Sequence, residues 1–295
     1  MVDLHTHSTA SDGSLSPAEL VKTAADRGLR AIALTDHDTI SGLAEAETAA
    51  AQAGIRLIPG VEVAIRRTDS SGATPPGELH LLGLGLRAPS PAFLEALAEL
   101  SKLRETRNRE ILGRINEMGV KAEYEDIRSL SGGGSLGRPH FAALLINRGI
   151  VKNQAQAFDR YLGRGQPLYV PKDGLDFAEA LELIRESGGI AVLAHPMSLY
   201  LAWGRLPAYI TALARQGLDG IEAWHPTAGT RSCKRLEELG RSLGLVITAG
   251  SDFHGESRPD RKLGITAGGR KIEDSLLEAI PALRDYSEGG QPHSA

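Results

Sequence analysis

Short apolar runs alternate along the chain with stretches of helical spacing. Residues 2–4 form the first run, and "SPAELVKTAADRG" follows it. There Ser16 suits a helix N-cap, Pro17 the first helical position and Glu19 a capping box, and Gly28 stops the helix. Residues 31–35 predict a second strand and residues 42–54 a second helix. "RLIPGVEV" and "ELHLLGLGL" predict strands three and four. "GGIAVLAHP", "LDGIEAWHP" and "LGLVITAGSDFH" come later, each after a helical pattern that ends at or near Gly188, Gly217 or Gly244. That rhythm predicts repeated βα units and a mainly parallel sheet.

Residues 89–171 break the rhythm. Residues 90–119 read as one long helical pattern with no strand after it, and 124–150 and 153–165 as further short helices. The prediction is a helical insertion (89–170) in a discontinuous barrel domain (1–88 and 171–285). The Gly-rich "SGGGSLGRP" forms a loop, and residues 286–295 a loose polar tail.

Composition narrows the class. Hydrophobic residues make up 41% and charged residues 24%, as in ordinary globular proteins. The net charge of −4 gives no global basic field, so a DNA partner is not expected. The single cysteine, Cys233, excludes an internal disulfide and a cysteine-based zinc core, which suits a reducing cytoplasm. "MVDLH" opens without a basic segment before a long apolar run, so no signal peptide is expected. No run reaches the roughly 18 apolar residues of a membrane helix. Oligomeric state is not legible.

The chemistry lies in where polar residues interrupt the apolar runs. His5 and His7 follow strand one, Asp36 and His37 strand two, and Glu62 ends strand three. His80 lies in strand four, His195 ends the fifth run, His225 the sixth, and Asp252 and His254 the seventh. In a βα barrel the carboxyl ends of successive strands converge on one mouth. Alone, His80 would read as a hydrogen-bonded interior residue and His37 as a turn residue. Together, buried imidazoles and carboxylates are unfavourable unless something positive unites them, and a metal does so. His5, His7, Asp12, His37, Glu62, His80, His195, Asp252 and His254 are too many donors for one ion. They suit two or three divalent ions with a bridging carboxylate. Nitrogen and oxygen donors fit manganese, iron or zinc.

"DLHTHSTASDG", "ALTDHDT", "GVEV", "AHP" and "GSDFH" resemble, in this order, the polymerase-and-histidinol-phosphatase (PHP) family of metal-dependent phosphoesterases, within the amidohydrolase-like enzymes. The insertion's "SLGRPHFA" and "YVPK" are similar to the subgroup of 3′,5′-nucleoside bisphosphate phosphatases and 5′-to-3′ exoribonucleases. The resemblance implies a distorted (β/α)7 barrel, TIM-like, with three metal sites. His5, His7, Glu62 and Asp252 match the first, and Asp12, His37 and His254 the second. Glu62 would bridge to a third with His80 and His195. Some relatives have histidine where this chain has Asp12; the carboxylate still binds a metal but makes the site harder and more negative.

The expected activity is removal of the 3′-phosphate of a nucleoside 3′,5′-bisphosphate, by attack of a metal-bridged hydroxide on phosphorus. His225 and His195 are candidate acids for the leaving oxygen, with His195 more suited to a ligand role. Ser135, Arg138 and His140 in "SLGRPHFA", with Tyr169 and Lys172 in "YVPK", are candidate substrate contacts. A guanidinium grips phosphate by two bonds, an ammonium is a point charge, and Tyr169 offers a face to a base. Arg104, Arg107 and Arg109 read as a solvated helix face. Rival readings are exonucleolytic trimming of short RNA, an amidohydrolase or deaminase, and a non-enzymatic metal-binding module. The absence of a strand-end lysine and of a Zn-Cys core weighs against the deaminase, and the complete donor set against the module.

Overall fold

The structure, a computed structural model, describes residues 1–66, 75–131 and 136–284. Seven strands lie side by side in chain order: β1 (Val2–Thr6), β2 (Ala31–Leu34), β3 (Arg56–Ile65), β4 (Leu79–Leu84), β5 (Ile190–Leu193), β6 (Gly220–Trp224) and β7 (Val246–Ala249). The sheet curls into a barrel. Just past β7, the Asp252 N–H donates to His5 O and the His7 N–H to Phe253 O, both at 2.9 Å.

α1 (Pro17–Asp26) and α2 (Leu43–Ala53) join the first three strands. In α1 the Glu19 N–H donates to Ser16 Oγ at 3.2 Å and the Ser16 N–H to the Glu19 carboxylate at 2.8 Å, which closes the expected capping box. α2 ends on Gly54 at φ 64°, a left-handed cap that favours glycine.

The pairs β1–β2, β2–β3, β5–β6 and β6–β7 are parallel, but β4 runs antiparallel to both β3 and β5. The expected βα repeat therefore fails at β4. No helix is predicted between β3 and β4, and without a crossover to carry the chain back, the next strand returns in the opposite sense.

The insertion begins with α3 (Pro91–Glu117) and continues through α4 (Tyr124–Arg128), α5 (Arg138–Asn147) and α6 (Gln154–Ala157). The first half of α3 belongs to the barrel: Phe93, Leu97 and Leu100 pack in the main core. From Ile111 onward the apolar side chains form their own cluster, with Ile115, Ile127, Phe141, Leu145, Leu162 and Leu168. Burial of each such side chain stabilises by about 1.5–3 kcal/mol. A second core of this kind can hold the insertion as a unit rather than a floppy loop. α7 (Phe177–Glu186), α8 (Leu206–Arg215) and α9 (Thr230–Ser242) complete the outer layer. No described helix is long and apolar enough to cross a membrane. The predicted tail lies outside the described residues, as do residues 132–135 of the Gly-rich loop.

Candidate metal centre and substrate cavity

β1, β2, β4 and β6 are buried along their whole length. A polar residue in such a strand has no solvent to face, so it must find partners across the barrel. His5, His7, Glu62, His80, His225, Asp252 and His254 are all buried, with Asp12 at the same end. All nine predicted metal donors gather there.

Four donors converge most tightly. His5 Nε2 and His7 Nε2 lie 3.0 Å apart, and each is 3.3 Å from Glu62 Oε2. Asp252 Oδ1 is 3.5 and 3.4 Å from the same two nitrogens. Donors on one ion at roughly 2.0–2.2 Å in tetrahedral array would lie roughly 3.3–3.6 Å apart, so the group fits a metal. Beside it His254 Nε2 is 3.3 Å from Asp12 Oδ1, and His37 Nε2 is 3.9 Å from Asp12 Oδ2. On the other side Glu62 Oε1 lies 2.7 Å from His80 Nδ1 and 2.8 Å from His195 Nε2. Glu62 thus turns one oxygen to each of two donor groups, as a bridging carboxylate would.

Four of these imidazoles carry a buried nitrogen without a hydrogen-bond partner: His37 Nδ1, His80 Nε2, His225 Nε2 and His254 Nε2. His37 Nδ1 is 3.0 Å from Glu62 Oε2, yet not at an angle that makes a hydrogen bond. Lone pairs crowded among carboxylate oxygens without hydrogen bonds are what a cation resolves. Without metal, the electrostatics diverge from residue to residue. Burial pushes His37 down to about 3. Burial lowers His7 too, but Asp252 and Glu62 outweigh it and lift the imidazole to about 9. Burial would raise the Glu62 carboxyl, but His37, His80 and His5 hold it well below the usual carboxylate range.

Supporting residues hold the donors in place: Glu222 and Asp38, which sequence reasoning missed, and Asp36, noted there only as following strand two. Glu222 Oε1 lies 3.0 Å from His5 Nδ1. Asp36 accepts the Ser8 N–H at 2.8 Å and its hydroxyl at 2.6 Å, which ties down the turn before Asp12. Asp38 accepts the Ala64 N–H at 2.7 Å and pairs with Arg104 and Lys172. Three of the four described non-glycine residues with positive φ belong to this end of the barrel: Asp38 (54°), His195 (29°) and Asp252 (54°). Backbone strain concentrated there is typical of a functional site.

A cavity of about 550 Å³ opens over the donors, within the range of small-molecule sites. Arg138, Tyr169 and Lys172, the candidate substrate contacts, line it together with His225. Arg104 and Arg107 line it as well, which corrects their reading as a solvated face: both are 8% exposed, whereas Arg109 does lie on the solvent side and pairs with Glu105. The helical spacing of three residues was visible, but not that the insertion turns this face of α3 to the barrel. His140 faces a separate, smaller crevice, and its Nδ1 accepts the Gly137 N–H at 3.0 Å. Ser135 lies outside the described residues.

A family model described as "PHP domain" matches residues 3–164. The chain belongs to the PHP-domain family. It is 37% identical over 252 residues to a 5′-3′ exoribonuclease of Haemophilus influenzae, covering 85% of this chain and 89% of that one. It is 33% identical over 272 residues to a 3′,5′-nucleoside bisphosphate phosphatase of Chromobacterium violaceum, covering 90% and 91%. Among solved structures, a Chromobacterium violaceum amidohydrolase with bound sulfate superposes with a TM-score of 0.81 at 31% identity, over 95% of this chain and 96% of that one. The PHP chain is accordingly a metal-dependent hydrolase of phosphoric esters, on an amidohydrolase-like barrel.

Proposed function

We propose that the protein is a phosphomonoesterase that removes the 3′-phosphate of nucleoside 3′,5′-bisphosphates, giving a nucleoside 5′-monophosphate and phosphate. The observation that carries this reading is one cavity with two kinds of wall. Imidazoles and carboxylates form its floor, and Arg104, Arg107, Arg138 and Lys172 stand along the insertion side. A substrate with one reacting phosphate and a second anion complements both. The similarity to a bisphosphate phosphatase over nine-tenths of each chain supports it.

In this reading His5, His7, Glu62 and Asp252 hold one divalent ion, Asp12, His37 and His254 a second, and His80 and His195 share Glu62 around a third. The donors fit manganese, iron or zinc, and manganese is the ion proposed here. Such ions lower the pKa of water and offset charge on the phosphoryl oxygens. The rest is done by the chain's own residues. His225 is the proposed proton donor to the leaving oxygen. The Thr227 N–H donates to its Nδ1 at 3.2 Å, so the ring's proton belongs on Nε2, which lacks a hydrogen-bond partner. Asp252 Oδ2 lies 3.3 Å from that nitrogen, and its charge works against the burial that lowers the ring. His195 Nε2 faces Glu62 and is better placed as a ligand. Residues 89–170 act as a cap that supplies specificity, with Tyr169 as a face for the base. The setting would be the cytoplasm.

A second reading, trimming of short RNA from its 5′ end, is favoured by the 37% identity to an exoribonuclease. The test is phosphate release with added manganese from nucleotides that differ only in phosphate position, beside release of mononucleotide from a short 5′-phosphorylated RNA. The first reading expects the bisphosphate to be turned over fastest. Turnover of the RNA alone would replace it with the second.

A further inference from the structure

Two spaces open at this end of the barrel. Beside the cavity over the donors lies a crevice of about 380 Å³, room enough for a small molecule. Its walls differ in kind. Pro139, Ala143 and Ile146 of α5 give an apolar wall on the insertion. Gly13 and Ser14, after β1, with Glu256 and Ser257, after β7, give a polar wall on the barrel. The Glu256 N–H donates to Ser14 Oγ at 2.8 Å, which fastens these two loops to each other. Among the described residues no lysine or arginine lines the crevice, so it is unsuited to phosphate, unlike the cation-walled cavity.

The two spaces share a border. Pro139 lines both. Asp12 lines the cavity and its neighbour Gly13 the crevice, and Arg258 lines the cavity and its neighbour Ser257 the crevice. A Cβ on Gly137 would lie 3.9 Å from Asp12 Oδ2, so α5 begins directly beside that metal donor. A group that reaches from one space into the other therefore passes Asp12.

His140 gives the crevice a defined donor. The Gly137 N–H donates to its Nδ1 at 3.0 Å, so the ring's proton belongs on Nε2. Burial lowers the ring, which is therefore neutral at pH 7. Gln154 and Glu256 supply acceptors. An apolar wall with a few donors and acceptors, and no cation, complements a nucleobase, which has apolar faces and polar edges.

We propose that this crevice receives the nucleoside esterified to the reacting phosphate, so that one centre hydrolyses the first 3′-phosphodiester of a short 5′-phosphorylated RNA as well as a free 3′-phosphate. The inference rests on the phosphatase reading for the bond that breaks and goes beyond it in the substrate. Water adds its oxygen to phosphorus, the P–O3′ bond breaks and O3′ takes a proton, alike in both substrates. In the diester a further phosphoryl oxygen carries the next nucleoside. The products are then a nucleoside 5′-monophosphate and a remainder with a new 5′-phosphate.

The test uses full-length protein with Ala143→Leu and Ala143→Phe, which fill the crevice by steps from a half-buried position. The substrates are adenosine 3′,5′-bisphosphate and the 5′-phosphorylated diadenylate pApA. With manganese, the wild type should turn over both. kcat/KM for pApA should fall about tenfold or more in Ala143→Phe and by less in Ala143→Leu, while that for the bisphosphate stays within about threefold. Titrations of metal-free protein should show the same split in affinity. A wild type that hydrolyses the bisphosphate but not pApA would overturn the proposal and leave the phosphatase reading intact. Undiminished pApA turnover in Ala143→Phe would also overturn it, as would an equal loss on both substrates, which marks a disturbed insertion. If the wild type hydrolyses neither, yet metal-free Ala143→Phe loses affinity for pApA alone, the phosphatase reading falls and the nucleoside seat stands.

Discussion

Glu222 Oε1 lies 3.0 Å from His5 Nδ1, and its Oε2 accepts the His195 N–H at 2.7 Å. One buried carboxylate on β6 therefore orients a ring on β1 and the strained backbone after β5. With Nδ1 engaged, His5 has Nε2 left to face His7, Glu62 and Asp252. Outer carboxylates of this kind fix the ring's tautomer and raise its basicity toward a metal. Glu222→Gln keeps the shape and removes the charge. It should weaken manganese affinity about 10- to 100-fold, read by competition with a chelating dye. Affinity equal to the wild type would show that Glu222 serves packing alone.

Asp38 is buried and is held by Arg104 of the insertion and by Lys172 just beyond it. Their charges keep its carboxyl far below the usual range against the burial that would raise it. This cluster docks α3 onto the barrel mouth. Arg104→Met leaves Asp38 with Lys172 alone and should cost about 2–4 kcal/mol, somewhat under the loss of a whole buried pair. Urea unfolding would measure it. The double variant Arg104→Met, Asp38→Asn should recover much of the loss, and a double variant as unstable as the sum of the singles would argue against coupling.

Gly250 allows a close backbone approach at the barrel mouth. A Cβ there would overlap the His5 Cβ and lie 2.7 Å from Glu222 Oε1. Gly250→Ala should therefore displace the ring and its carboxylate together. We expect a stability loss of about 1–3 kcal/mol, as for overpacking, accompanied by weaker metal binding. Loss of stability with manganese affinity intact would mean that the backbone, not His5, absorbs the added methyl.

Much of the site was legible because fully buried strands leave polar residues conspicuous. His5 and His7 share one side of a period-two strand, and the donors at the ends of later runs follow the barrel's convergence. Glu222 escaped notice because one carboxylate inside "IEAW" reads as ordinary alternation in a half-exposed strand. Arg104 and Arg107 were misread because charge at helical spacing describes a face, not what that face meets. The neighbour that buries them comes from residues 169–172 and the barrel mouth, a tertiary relation no local pattern carries. The reversal at β4 was implicit in the missing helix between β3 and β4, a sign overshadowed by the regular βα rhythm elsewhere.

Divalent ions held by the gathered imidazoles and carboxylates are the centre of this account. The most direct measurement is metal content per chain in purified, active protein, taken alongside phosphate release before and after dialysis against a chelator, with His7→Asn in parallel. The account predicts two or three bound transition ions, activity that disappears on their removal and returns with manganese, and fewer ions with little activity in the variant. Full phosphate release by protein free of such ions, or by His7→Asn, would contradict it.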